Sequence, residues 1–132
     1  MAQLQRLVNS RRGTILAHEL HPSAESSRRL RHLTLRRKFP IGVALWLSPC
    51  RAIHTLGLRF PIDAIFLDDK LRVIETRECI PPGSLVRPVP RASSVVELPA
   101  GTVRASGTEV GDSLDVEPVK IVVRTADWIG TN

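Results

Sequence analysis

Ile62-Asp-Ala-Ile-Phe-Leu-Asp-Asp-Lys-Leu-Arg-Val-Ile-Glu-Thr76 is the stretch that decides the fold. Residues 62–67 are apolar except for Asp63, a run too short for a helix and suited to a strand covered on both faces. Asp68, Asp69 and Lys70 carry tight-turn chemistry, and residues 71–76 return as the hairpin partner. Upstream, Val43–Leu47 is a second apolar strand, ended by Ser48 and Pro49. Downstream, Pro81, Pro82, Pro88 and Pro90 lack the N–H that a ladder needs, so their segment is predicted to be a surface loop. Residues 95–98 form a further strand. Residues 99–106 fit one or two helical turns, with Pro99 at the start and Gly107 just past the end. Residues 114–117 and 120–124 supply closing strands.

Toward the N-terminus the pattern thins. Residues 1–12 show little periodicity and are expected to fray, while Thr14–Ala17 reads as a short strand. His21, Pro22 and Glu25 suit a helix start, since proline is tolerated in the first turn and acids favour the positive end of the dipole. Leu30, Leu33 and Leu35 continue as a narrow apolar stripe among arginines, and residues 39–42 end the helix. Strands outnumber helices, and connections are short. The expected class is mainly β, a β-rich α+β fold. It is a compact, largely antiparallel sheet or partly closed barrel with one N-terminal helix and a short helical turn. Residues 13–132 are read as one domain, with Leu45, Leu47, Ile62, Ile65, Phe66, Val73, Val96, Leu98 and Leu114 in its core.

A chain of 132 residues has room for one such core. Aromatics make up 4% and Tyr is absent, so the core must rest on Val, Ile and Leu. Trp46, Phe60, Phe66 and Trp128 are isolated large fillers, which argues against a base-stacking surface. The net charge of +6 is uneven: residues 1–40 hold nine Lys/Arg against two acids, and residues 41–132 hold ten against eleven. Arg28, Arg29, Arg31, Arg36, Arg37 and Lys38 concentrate the excess, either as a solvated face or as a contact for phosphates or anionic lipid. No apolar run is long enough to span a membrane, and no secretory leader is visible. Two cysteines make no disulfide framework, so reduced thiols in a cytoplasmic protein are the expectation.

Between the two apolar strands, Cys50, His54, Thr55, Arg59 and Asp63 crowd a turn-forming segment. Reactive and charged groups on a loop held by a rigid scaffold are where binding or catalysis usually sits. Cys50 and His54 have a spacing seen in some metal sites, yet zinc needs three or four ligands. Cys79, Asp63 and Glu97 are the remaining donors, and none stands at a diagnostic spacing, so neither metal nor cofactor is expected. A Cys50–His54 nucleophilic pair would need an imidazolium-stabilised thiolate and a third group, Asp63 or Glu97, to orient the ring. The bland alternative is a small buried cysteine beside a histidine bonded to backbone. Arg59 and Asp63 stand at the mouth of an apolar strand, where a charge is expensive unless paired. They form either an Arg59–Asp63 or Arg59–Glu97 ion pair fixing the loop, or a donor fork for a carboxylate or phosphate ligand. Glu97, an acid among Val95, Val96 and Leu98, points either outward or into a pocket.

The block from Cys50 to Asp68, reading C-x-x-I-H-T-x-G-h-R-F-P-I-D-h-h-F-h-D (h apolar), is followed by V-h-E-L-P-A-G from Val95 and V-G-D-x-L from Val110. Together they resemble domain-of-unknown-function family 192, with weaker similarity from Arg28 onward. The resemblance implies a small β-rich bacterial or archaeal domain without an established activity. Its members include exported and cytoplasmic proteins, some beside pilus-assembly systems. Two departures stand out. His32 and Leu35 replace glycines of the family pattern, which suggests a more regular helix or an altered approach to the site. Leu58 replaces a methionine, preserving volume but removing any thioether role.

A polar cluster without a complete catalytic or metal set points to a non-enzymatic small-ligand or protein-interaction module; the family resemblance implies that it could be accessory to a pilus or export system. Cys50, His54, Thr55, Arg59, Asp63 and Glu97 would line its site, and its partner is an unidentified small ligand or protein. The alternative is a hydrolase-like enzyme using Cys50 and His54. A third reading starts from the segment 97–116, which is similar to the strand–turn–strand of swapped-hairpin transcription factors. With the basic N-terminal run, it implies weak, sequence-independent nucleic-acid binding and no specific nucleic-acid partner.

Overall fold

The computed structural model describes residues 4–22 and 36–119. Its elements are β1 (Gln5–Asn9), β2 (Thr14–Ala17), β3 (Glu19–Pro22), β4 (Val43–Leu47), β5 (Ile62–Leu67), β6 (Val73–Ile80), β7 (Ser94–Pro99), the short helix α1 (Thr102–Ser106) and β8 (Leu114–Pro118). The strands make two sheets, one of order β2-β1-β8 and one of order β3-β4-β7-β5-β6. Among the described strands the pairings are antiparallel except for β3 with β4. The fold is thus mainly β, as expected. It is built from two open sheets and not from a closed barrel.

β5 is buried at all six positions because it has strands on both sides and cover on both faces. The two-residue period of a strand then sorts its side chains. Ile65 and Leu67, with Val96 and Leu98 of β7, face the smaller sheet and pack on Leu7, Leu16, Leu20, Val73 and Leu114. Ile62, Ala64 and Phe66, with Val95 of β7, face the other way into a second apolar cluster.

That second face is roofed by a ribbon of two extended segments running antiparallel. Four backbone N–H groups zip it: Cys50 to the Ser93 carbonyl (3.0 Å), Val89 to Arg51 (2.9 Å), Val86 to Ile53 (3.1 Å) and Thr55 to Ser84 (2.9 Å). Ile53, Leu58, Phe60 and Ala92 point down into the cluster, while Arg51, His54, Leu56, Arg59, Leu85, Arg87 and Arg91 are exposed above it. Phe39 also joins the cluster, its ring edge-on to Phe60 at 5.9 Å. The proline-rich segment is a surface loop, as predicted. It completes a layer because its few half-buried residues, Val86 and Val89, meet the sheet.

Several expectations need correction. Residues 5–9, expected to fray, form the central strand of the smaller sheet, with Leu7 only 1% exposed. His21 and Pro22 end a strand and do not open a helix. The rest of that expected helix, residues 23–35, and the expected strand 120–124 lie outside the described residues. Leu47 borders the core and is only partly buried. The helical turn lies within the expected span and ends at Gly107 with φ of 69°, but it starts at Thr102, and Pro99, expected to open it, is the last residue of β7. Among the described residues no helix is long and apolar enough to cross a membrane.

Candidate functional site

The register of β5 and β7 divides the expected cluster. Asp63 is opposite Leu98 and Ala64 is opposite Glu97. Paired residues share a face, so Asp63 points toward the smaller sheet and α1, whereas Glu97 points toward the roof. The sheet itself separates the two carboxylates.

Asp63 is completely buried and fully occupied. Its Oδ1 accepts the N–H of Cys79 (2.9 Å), and its Oδ2 accepts those of Gly101 (3.1 Å) and Val103 (2.8 Å). Gly101 caps α1 in a left-handed conformation, φ 95°, and offers no side chain to the first turn. Asp63 supplies that missing cap from a strand, where a negative charge also suits the positive end of the helix. Its third bond holds Cys79, which has an unusual φ of 51° for a residue with a Cβ. Asp63 is a structural clamp, and the expected Arg59–Asp63 ion pair is not formed.

Thr55 is equally committed. Its Oγ1 donates to the Pro81 carbonyl (2.7 Å) and accepts the Ser84 N–H (2.8 Å), stapling one ribbon segment to the other. His54 is exposed, bridged to Leu85, and its Nδ1 accepts the Leu56 N–H at 3.2 Å. The Cys50 thiol donates to the Ala52 carbonyl at 3.1 Å. No hydrogen bond joins Cys50 to His54 among the described residues. Burial pushes the Cys50 thiol up, and the nearby Glu97 carboxylate adds to the effect. This is the reverse of an activated thiolate, which needs a positive neighbourhood. Arg59 stands exposed on the roof with no ion-pair partner among the described residues.

Glu97 is the chemically unusual group. It lies in the middle strand of the larger sheet, between Leu45 of β4 and Ala64 of β5, and is 2% exposed. Its Oε2 has no hydrogen-bond partner among the described residues. Loss of solvent raises its pKa from 4.5 to about 7. Electrostatic coupling to Cys50 brings one roof residue and one floor residue of the predicted set into one locality. His21 of β3 is on the same face, paired with Leu45 one strand beyond Glu97, its Nε2 3.1 Å from Glu19 Oε2. Only the parallel β3–β4 register reveals that placement, so the sequence carried no signal for it.

A second polar network is centred on Asp112 of the V-G-D-x-L block, and its partners Asn9 and Arg12 are too distant in sequence for the block alone to reveal it. Asp112 Oδ2 accepts the Asn9 amide (3.0 Å), the Arg12 Nε (3.1 Å) and the Glu109 N–H (3.0 Å). The Asn9 amide, then the Glu109 N–H and the Arg12 guanidinium, hold Asp112 down at about 2. The network ties β1 to the approach of β8 and is complete. Among the described residues no three His, Cys, Asp or Glu side chains converge as a metal-binding group.

Two solved structures share this fold. A candidate transcription regulator from Sinorhizobium meliloti 1021 is 24% identical, with a TM-score of 0.62 over 86% of this chain and 92% of that one. A protein of unknown function from Novosphingobium aromaticivorans DSM 12444 is 17% identical, with a TM-score of 0.65 over 85% of this chain and 83% of that one. At these identities the likeness is one of fold. No curated protein matches the chain. The model of the family described as "Uncharacterized ACR" matches residues 7–116, so the chain belongs to domain-of-unknown-function family 192.

Proposed function

We propose that this domain is a small-ligand binding module whose recognition group is the Glu97 carboxyl, reached beneath the Cys50 end of the roof. One observation carries the reading: a carboxyl buried in apolar surroundings, with Oε2 unpartnered and a pKa near 7. Buried polar groups in folded proteins are nearly always bonded, so an orphan oxygen in the middle of a core sheet calls for a partner. A ligand presenting an amine, amidine or amide N–H would satisfy it. A cationic ligand would also draw the proton off Glu97, because a nearby positive charge favours the carboxylate. Cys50, kept as a neutral thiol, would contribute a soft apolar wall beside the carboxyl. Thr55 would keep the roof in place, and Asp63 the floor. The raised thiol pKa and the occupied His54 Nδ1 weigh against the hydrolase-like alternative. An accessory role beside a pilus or export system is compatible with such a module.

Binding of benzamidine, methylguanidinium and acetamide, followed by amide and side-chain carboxyl NMR shifts, tests the proposal. At pH 6 to 7, binding of the two cationic probes should release a proton. The observed heat should then depend on the buffer's ionisation enthalpy. Glu97→Gln should abolish both the binding and the release. If no probe moves the Glu97 carboxyl resonance, or if Glu97→Gln binds the cations as well as the parent, the proposal is wrong.

A further inference from the structure

The roof carries a second feature that the buried carboxyl does not use. Residues 36–61 and 81–93 contain seven Lys or Arg and no Asp or Glu. The zipped ribbon turns Ile53, Leu58, Phe60 and Ala92 inward, and so Arg51, Arg59, Arg87 and Arg91 stand outward on a common side. Phe39, packed on Phe60, brings the exposed residues 36–38, Arg-Arg-Lys, to the same layer. None of these seven cations is in an ion pair among the described residues. Ion pairs found elsewhere, such as Arg6–Glu117, Arg12–Glu109 and Arg77–Glu75, involve none of them. Of the described acids, Glu78 borders this layer, lining one hollow with Leu85, Val86 and Arg87, and Glu97 is buried beneath it. Among the described residues the charge is therefore uneven, with the roof segments carrying seven cations and no acid of their own.

Two side chains on that face are apolar and protrude. Leu85 is 80% exposed and Leu56 51% exposed. The His54–Leu85 bridge brings the loops bearing them side by side, so the leucines crown the positive layer. Scattered exposed leucines need no explanation. Two on adjacent loop tips, surrounded by unpaired cations, have the composition of a surface that docks on lipid headgroups and dips an apolar tip into the acyl boundary. Nucleic acid fits less well. The roof aromatics, Phe39 and Phe60, are buried, the chain has no Tyr, and the roof offers no described helix to enter a groove.

We propose that the roof is a peripheral membrane-docking face for anionic lipid, with Arg51, Arg59, Arg87, Arg91 and residues 36–38 at the headgroups and Leu56 and Leu85 as inserting tips. This goes beyond the ligand reading of Glu97 and is independent of it: Glu97→Gln should leave docking unchanged.

Co-sedimentation with vesicles tests it, using phosphatidylcholine alone and phosphatidylcholine mixed with one-third phosphatidylglycerol. The full chain should pellet with the anionic vesicles, stay in solution with the neutral ones, and be released at about 0.5 M salt, where the Debye length is only a few ångströms. Arg87→Gln with Arg91→Gln should lower the partition coefficient by about 25-fold, roughly fivefold per cation. Leu85→Ser should lower it by about tenfold, the effect of withdrawing a partly inserted leucine. Arg104→Gln, on α1 and away from the roof, is the control and should change little. All four positions are exposed, so folding is not at stake, and circular dichroism verifies it. Absence of anionic-vesicle binding at low salt overturns the proposal. So does an equal loss in Arg104→Gln, which would reduce the effect to net charge, or no loss in Leu85→Ser. Tighter binding to a duplex DNA of matched phosphate concentration than to the vesicles would make the partner a nucleic acid and equally overturn it.

Discussion

Glu97→Gln should stabilise this protein at neutral and alkaline pH and leave it unchanged in acid. The folded carboxyl titrates near 7, whereas an ordinary glutamate does so at 4.5. Below the lower value both the folded and unfolded chains hold the proton, and there is no penalty. Between the two, the unfolded chain ionises while the folded chain does not. Stability then falls by about 1.4 kcal/mol per pH unit and levels off above the folded value. The whole difference amounts to about 3 kcal/mol, a large share of the 5–15 kcal/mol typical of a domain. Glutamine keeps the shape and cannot ionise. Urea unfolding by circular dichroism, run on both proteins at half-unit steps from pH 4 to 8, reads the effect directly. Other titrating groups contribute equally to both and cancel in the comparison. The two curves should meet near pH 4 and separate to about 3 kcal/mol by pH 8, equivalent to roughly 10 °C in Tm for a domain of this size. Parallel curves would refute the reasoning, because they would mean that Glu97 ionises normally or that a cation already neutralises it.

Three further outcomes follow from the same geometry. Asp63→Ala strands the N–H groups of Cys79, Gly101 and Val103; a loss of about 3–5 kcal/mol is expected, measured by denaturant titration, with amide exchange in α1 accelerating first. Asp112 is held below its ordinary value, so its contribution to stability is intact above 3.8 and lost as the pH falls toward 2. An acid titration of Asp112→Asn should lack that limb even though the variant is less stable at pH 7. With a maleimide at neutral pH, exposed Cys79 should be labelled ahead of Cys50, whose thiol is half-buried and harder to ionise; mass mapping showing Cys50 labelled first would revive the nucleophile reading.

The strands were legible wherever burial on both faces left an apolar run too short to be a helix. That held for residues 43–47, 62–67 and 95–98, the last running one residue further at each end in the structure. β1 was not legible, because Gln5-Arg-Leu-Val-Asn9 mixes polar and apolar residues. Its buried Asn9 is tolerated through bonds to the Arg12 N–H and to Thr108 and Asp112, which are 99 and 103 residues away. His21 misled for a related reason: a proline after it reads as a helix start, and only a parallel partner strand explains an extended Pro22 at a sheet edge. The candidate site was half legible. Polar residues crowd the 50–63 segment in sequence, but proximity in sequence says nothing about which side of a sheet a residue faces. Asp63 and Arg59 are four apart, yet one is beneath the floor and the other on the roof.

That division by face carries the functional argument further than any single residue. Toward the smaller sheet, the Asp63 and Asp112 networks are complete: Asp63 has three donors, and Asn9 and Asp112 satisfy each other, with Thr108 and Arg12 closing the set. Such networks hold strands and α1 in register and leave nothing for a ligand to take. Toward the roof the polar groups are incomplete among the described residues: Glu97 Oε2 has no hydrogen-bond partner, and the roof arginines form no ion pair. A fold that satisfies one face so thoroughly had the means to satisfy the other, for example with a glutamine or leucine at position 97 and a scatter of acids on the ribbon. Keeping about 3 kcal/mol of strain in the ionised Glu97 and a layer of like charges lowers stability with no structural return. Departures from local consistency of this kind concentrate where a protein meets something else. The roof side, with its buried acid below and its cations above, is therefore where ligand and surface should be sought, and the face between the sheets is where they should not.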